Sequence, residues 1–181
     1  MFKKFTVRDS ASGQSLVKSS QQRSIRAKIQ EQYPAFGDVL EELIPKKAQI
    51  VVIKVSSDAL NIVSVNNKML FFNHFDGPYL PTLRLLHQYP DIMPRFQVDR
   101  GAIKFVISGA DIMCPGLTSK GGKLDPGVPA QSPVAIYAEG KEHALAIGFT
   151  KMSTDDILRV NKDIGVQNMH ALYDGLWVET K

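Results

Sequence analysis

Three strand-forming runs, 49–55, 60–65 and 68–74, follow one another with almost no chain between them. β-Branched and aromatic residues dominate the runs, the composition of a half-buried pleated strand. The linkers are too short for the crossover of a dozen or more residues that a parallel pair needs, so consecutive runs must pair antiparallel. Their chemistry agrees. Ser56-Ser57-Asp58 has the composition of a turn, and Asn66-Asn67 supplies residues that tolerate the positive φ of a tight hairpin. A three-strand antiparallel meander is therefore the fixed point around which the rest of the chain must fold.

On its N-terminal side, residues 6–19 are rich in Ser, Thr, Gly and Gln and read as a loose leader. A helix is expected from Ser20, because Ile25, Ile29 and Tyr33 recur every fourth residue, and Pro34 ends it. Arg23, Arg26 and Gln30 fall together on one flank of that stripe. A second short helix over 37–44 stops at Pro45, followed by Lys46 and Lys47. Beyond the meander, 81–89 reads as a short helix with Leu83, Leu86 and Tyr89 inward. Pro90 and Pro94 then bracket a boundary that divides the chain into 1–93 and 94–181.

The second half has a different rhythm. Residues 96–99 form a strand and 100–108 a helix with Ile103, Val106 and Ile107 on one face, closed by Gly109 as C-cap. Residues 115–133 hold four prolines and four glycines and are expected as loops around at most short strands. Residues 134–138 and 143–150 read as a hairpin across Glu139-Gly140-Lys141-Glu142. Ser153 caps a helix whose Asp155 and Asp156 complement the positive helix end. The tail alternates weakly and ends on Leu176-Trp177-Val178, read as the closing strand. Many short strands with two short helices point to a small, partly open barrel. The fold class is α+β: an N-terminal α/β unit built on the meander, then a barrel-like unit.

Composition narrows the function. The chain has 181 residues, 44% hydrophobic and 22% charged, enough apolar content for a packed core. No apolar run approaches the roughly 20 residues of a membrane-spanning helix, so no membrane partner is expected. The opening Met1-Phe2-Lys3-Lys4-Phe5-Thr6 lacks the apolar stretch of a secretory signal. Cys114 is the only cysteine, which fits a reducing compartment, and a cytoplasmic location is expected. The net charge is +4: residues 1–93 hold 12 Lys and Arg against 8 Asp and Glu, and residues 94–181 hold 10 of each. That asymmetry favours an anionic partner such as RNA.

Several residues carry candidate chemistry. Arg100 and Lys104 lie one helical turn apart beside Gly101, where backbone can approach a ligand and helix N–H groups attract phosphate. Phe105 points away from the apolar face of that helix, so it either stacks on a base or packs against the other unit. Gly116-Leu117-Thr118-Ser119-Lys120-Gly121-Gly122-Lys123-Leu124 imitates a nucleotide P-loop, but its glycine-to-lysine spacing is off by one and Leu124 stands where a Ser or Thr is needed. It is not an NTP site; Lys120 and Lys123 remain phosphate contacts on a loop. His74, His87, His143 and His170 lack zinc spacing, and Cys114 sits in an apolar run as a structural thiol. Asp155-Asp156 and Glu41-Glu42 read as helix-terminal charges. No constellation defines a reaction, and neither metal nor cofactor is expected.

The stretch Val98-Asp99-Arg100-Gly101-Ala102-Ile103-Lys104-Phe105 through Gly109-Ala110-Asp111-Ile112-Met113-Cys114-Pro115-Gly116-Leu117 resembles the opening of a PUA domain, an RNA-binding pseudo-barrel. The paired segment, 134–138, Gly140-Lys141 and Ala144-Leu145-Ala146-Ile147-Gly148, is similar as well. Pro45-Lys46-Lys47, Leu70-Phe71-Phe72, Pro81-Thr82-Leu83-Arg84-Leu85-Leu86-His87 and Asp174-Gly175-Leu176-Trp177 extend the likeness over nearly the whole chain. Together they resemble the malignant-T-cell-amplified-sequence family, which includes a fungal translation-machinery-associated member.

The resemblance implies a pre-PUA domain followed by a PUA pseudo-barrel in a non-enzymatic, ribosome-associated translation factor. Such proteins pair with the density-regulated protein on the small ribosomal subunit and its rRNA. They promote release of deacylated tRNA in ribosome recycling, and support translation re-initiation and some unconventional initiation. The implied RNA-binding positions are Asp99, Arg100, Gly101, Ala102, Lys104, Met113, Pro115, Gly116 and Leu117, with Lys120 and Lys123 beside them. Arg23, Arg26, Lys46, Lys47 and Arg84 are the candidates for docking on the ribosome or partner. Two other readings stay open: an accessory subunit or enzyme of tRNA or rRNA modification, and a module that docks on protein alone.

Overall fold

A computed structural model describes residues 1–55 and 58–181 of the chain. The meander forms as its turns dictate. Strands β2 (Ile50–Val55), β3 (Leu60–Val65) and β4 (Lys68–His74) pair antiparallel in order, and β5 (Leu80–Pro81) adds to β4. Asn66 and Asn67 take φ of 51° and 63°, the mirror-image geometry a two-residue hairpin requires. Of the other expected turn, Ser56 and Ser57 lie outside the described residues.

The leader is not loose. Val7–Ser10 forms a helical turn, α1, and Gly13–Leu16 forms β1, whose register on β2 runs from Gly13 opposite Lys54 to Leu16 opposite Val51. All four β1 residues are exposed, so no apolar alternation marks the strand in the sequence. Its stability comes from the backbone ladder, which any composition can supply. Helix α2 (Ser19–Gln32) buries Ile25 and Ile29, and Tyr33 is buried just past its end. A 3-10 turn at Pro34–Phe36 leads to α3 (Val39–Leu43), and α4 (Leu83–Gln88) is capped by Thr82 Oγ1, which accepts from Leu85 N. Tyr89, expected inward, is half-buried.

The second sheet has six strands in the order β7-β11-β10-β9-β6-β8. These are β6 (Arg95–Val98), β7 (Ile112–Met113), β8 (Lys123–Leu124), β9 (Pro133–Ala138), β10 (Ala146–Thr150) and β11 (Ile164–Ala171). The β9–β10 hairpin forms, with its second strand starting at Ala146 and not at His143, and β6 runs parallel to β9. Where one helix was expected over 100–108, a 3-10 turn (Arg100–Ala102) precedes a short α5 (Ile103–Ile107), with Gly109 at φ +95° closing it.

Two expectations fail outright. Residues 115–133 are more than loops and short strands: α6 (Cys114–Thr118) starts with Pro115 in its first turn, where a missing N–H costs nothing, while β8 is a short strand of the kind expected. Leu176-Trp177-Val178 is not a strand but part of α8 (Gly175–Glu179), because Asp174 Oδ1 accepts from Trp177 N at 2.9 Å and caps the turn. The last strand of the second sheet is β11, paired between β7 and β10 and hidden in the sequence by its buried polar residues Asn168 and His170. Between them, α7 (Thr154–Val160) is capped by Ser153, as its sequence requires.

One continuous core joins the two sheets. Phe2, Phe36, Phe71, Phe72 and Leu83 of the first unit cluster with Ala135, Tyr137, Ile147, Met169 and Leu176 of the second. A second cluster, around Phe96, Val106, Leu117 and Val166, fills the barrel itself.

Candidate nucleic-acid interface

The turn after β6 is built by Asp99. Its Oδ1 accepts from Ala102 N at 3.0 Å and its Oδ2 from the Ser119 hydroxyl at 2.7 Å, tying the turn to the end of α6. The carboxylate therefore occupies the N–H that a phosphate would otherwise use. Gly116 O accepts from Asp99 N at 3.1 Å, and a Cβ on Gly101 would sit 3.3 Å from Asp99 Oδ1. Small residues at 101, 102 and 116 let this turn lie close against α6.

Between α5, β7 and α6 runs a groove of about 540 Å³ lined by Gly101, Ala102, Phe105, Met113, Gly116 and Ile164, among others. Its wall is overwhelmingly apolar, where the sequence emphasised cations. Phe105 is 57% exposed and Met113 48%, so the groove presents large apolar side chains to solvent. Phe105 does not pack against the first unit. Lys104 Nζ lies 5.1 Å from the Phe105 ring centroid, within cation–π range. Arg100 is exposed on the neighbouring turn, with its guanidinium over Gly140.

Asn168, which sequence reasoning missed, fixes one end of the groove. Its Nδ2 donates to Val106 O and Ala110 O, both at 3.0 Å, while its own N–H donates to Asp111 Oδ1 at 2.9 Å. An asparagine in a weakly alternating tail carries no motif; only the fold brings it under α5.

The other candidates separate. Gly101, Ala102, Met113 and Gly116 line the groove, and Lys104 reaches its rim through Phe105. Pro115 is exposed on α6, but the Leu117 side chain is buried in the barrel core and offers a ligand nothing. Lys120 and Lys123 are exposed towards β8 and do not line the groove. Gly116 lies inside a helix, so the P-loop likeness has no loop to support it. Cys114 is buried with Sγ 3.8 Å from Met152 Sδ, and burial raises its thiol pKa, the opposite of an activated nucleophile. Among the described residues, no group of three or more His, Cys, Asp or Glu is placed to hold a metal ion, and no helix is long and apolar enough to cross a membrane.

In the first unit, Arg23, Arg26 and Lys46 share a groove of about 460 Å³, with Lys47 exposed in the adjoining turn. Arg26 is partly committed, since its Nε donates to Ile44 O at 2.9 Å. Arg84 is structural: its guanidinium stacks 3.8 Å from the Trp177 ring and donates to Trp177 O at 3.0 and 3.1 Å. That geometry clamps α8 to α4 and leaves Arg84 little freedom to dock elsewhere.

Comparison with known proteins places this geometry. The Pre-PUA-like domain family matches residues 3–90 and the PUA domain family residues 94–172. The chain is 51% identical over 178 residues to the malignant T-cell-amplified sequence 1 homolog of Dictyostelium discoideum, covering 98% of this chain and 97% of that protein. It is 49% identical over 177 residues, with the same coverage, to translation machinery-associated protein 20 of Schizosaccharomyces pombe and to human malignant T-cell-amplified sequence 2. Among solved structures, a hypothetical protein of Pyrococcus horikoshii shares the fold at 23% identity and TM-score 0.74, covering 93% of this chain and all of that one. A conserved PUA domain protein from Thermoplasma acidophilum does so at 17% and 0.63, with the same coverage. A pre-PUA sheet and a PUA barrel with these relatives over nearly its full length mean that the chain belongs to the malignant-T-cell-amplified-sequence family.

Proposed function

We propose that this chain is a non-catalytic, RNA-binding translation factor whose PUA groove holds the single-stranded acceptor end of tRNA. The observation that carries the reading is the apolar groove with Phe105 exposed on its lip, Lys104 against the ring and Arg100 on the next turn. Unpaired bases stack on exposed aromatics, and neighbouring cations hold the phosphates. In this reading Gly101, Ala102, Met113 and Gly116 contact bases and ribose, while Arg100, Lys104, Lys120 and Lys123 track the backbone. A relative named for association with the translation machinery supports the setting. The family resemblance supplies the finer picture: a heterodimer with the density-regulated protein, acting on the small ribosomal subunit in the cytoplasm to release deacylated tRNA and allow re-initiation. The basic groove of Arg23, Arg26 and Lys46, with Lys47, is then the surface offered to rRNA or partner, and the working division of the chain falls at 93/94.

Affinity for a labelled tRNA acceptor-end oligonucleotide, measured against salt, tests the groove. Phe105→Ala is expected to weaken binding by about 1–3 kcal/mol with its salt slope intact, since stacking releases no counterions. Arg100→Ala with Lys104→Ala is expected to flatten the slope by about 0.7 for each phosphate left without its cation. Unchanged affinity and slope in both variants sinks the assignment.

A further inference from the structure

A second cleft, about 480 Å³ in volume, opens on the first unit between α2 and the face of the sheet it covers. One row of that face is apolar. Val52 pairs with Val63 across β2 and β3, and both line the cleft. The next row is polar: Lys54 stands opposite Asn61, and Asn61 opposite Asn73, so one cross-strand row carries an ammonium and two carboxamides. Asn73 is only 6% exposed. Its Nδ2 donates to Gly77 O at 3.3 Å, but its Oδ1 is buried with no hydrogen-bond partner. A buried carbonyl oxygen left without a donor costs stability, and native cores seldom keep one. Around the opening stand three exposed cations, Lys18, Lys28 and Lys54, against one exposed carboxylate, Asp76.

These features ask for a ligand with two kinds of chemistry. The deep carboxamide oxygen needs an N–H donor, and paired Asn side chains suit a planar edge that both donates and accepts. The lysines, which have donors only, need an anion. A nucleotide carries both, with base N–H groups at one end and phosphate at the other, and the cleft lies within the ordinary range for small-molecule sites. We propose that the α2–sheet cleft binds one nucleotide, its base against Asn61 and Asn73 and its phosphate among Lys18, Lys28 and Lys54. The site is remote in sequence from the PUA groove and does not depend on how that groove is used.

The test follows backbone and Asn side-chain amide signals of the full chain by NMR. Each of the four nucleoside 5′-monophosphates is titrated to about 10 mM, the weak end of small-ligand affinity. The expected result is saturable shifts at Lys54, Asn61 and Asn73 with at least one nucleotide, and none there with inorganic phosphate. Lys28→Ala with Lys54→Ala, both on exposed side chains, should weaken that binding at least tenfold. Asn61→Ala should weaken it without removing a cation. A single-stranded oligonucleotide of the same base distinguishes the source: at least tenfold tighter binding than the mononucleotide marks an RNA chain, and equal or weaker binding a free nucleotide. The proposal is overturned if no nucleotide shifts these residues, if inorganic phosphate matches the nucleotide, or if only an oligoglutamate peptide occupies the cleft. Shifts confined to Gly101, Phe105 and Met113 would also remove this site, while leaving the PUA groove reading in place.

Discussion

His87 stands where three elements meet. Its Nε2 lies 2.9 Å from Ala144 O, its ring is 5.3 Å from that of His143, and Trp177 packs edge-on at 5.4 Å. Burial, chiefly, and then the neighbouring His143 and Arg84 lower its pKa below the ordinary 6.5, against the pull of the Ala144 carbonyl. The folded protein thus resists protonating His87 more than the unfolded chain does. As pH falls through 6.5 the unfolded state takes up the proton first, and stability drops until the folded pKa is passed. Thermal melts at pH 7.5 and pH 5 should show a smaller loss for His87→Gln, which keeps a donor for Ala144 but cannot titrate, than for the unmodified chain. Equal losses would mean that His87 contributes nothing to the acid sensitivity. The four histidines are scattered in the sequence, and periodicity cannot reveal that two of them face each other.

Elements differ in how openly the sequence declares them. The meander and α2 are legible because their apolar period matches their geometry, and each ends on a Pro or Asn signal whose backbone effect is local. The second helical segment after Pro34 is legible for the same reason. β1 is silent because all its side chains face water, and β11 because buried polar residues break its alternation. α8 misleads: Leu-Trp-Val favours strand, yet one carboxylate, Asp174, captures the helix start. Once formed, α8 is held to α4 by Arg84. Charge-assisted hydrogen bonds of this type contribute about 1.5–3 kcal/mol, so Arg84→Ala should destabilise the chain by about 2 kcal/mol in urea unfolding. Its RNA salt slope should not move. A flattened slope with unchanged stability would return Arg84 to the docking surface.

Across the whole molecule, the shared core makes the two sheets one folding unit. Side chains from the N-terminal segment, the meander, β9–β11 and α8 fill a single cluster, so neither sheet buries its face alone. Trp177, the only tryptophan, sits on the seam. Its fluorescence and far-ultraviolet circular dichroism should therefore report one coincident urea transition. Two separated midpoints would show that the pre-PUA and PUA halves melt independently. The Pro90 and Pro94 punctuation marks where the chain passes from one sheet to the next, but it says nothing of whether the halves share a core.

The sequence by itself determined what depends on near neighbours: turn chemistry, the helix cap at Ser153, the apolar stripes, and the place of Phe105 off the apolar face of its helix. These are settled by sterics and hydrogen bonds within a few residues, so a linear reading reaches them. Tertiary structure alone decided the groove's apolar character, the burial of Leu117, the bracing by Asn168 and the capture of Arg84 by Trp177. Each of these joins residues far apart in the chain. Whether a side chain meets solvent or another element is fixed only when distant surfaces close on one another and exclude water.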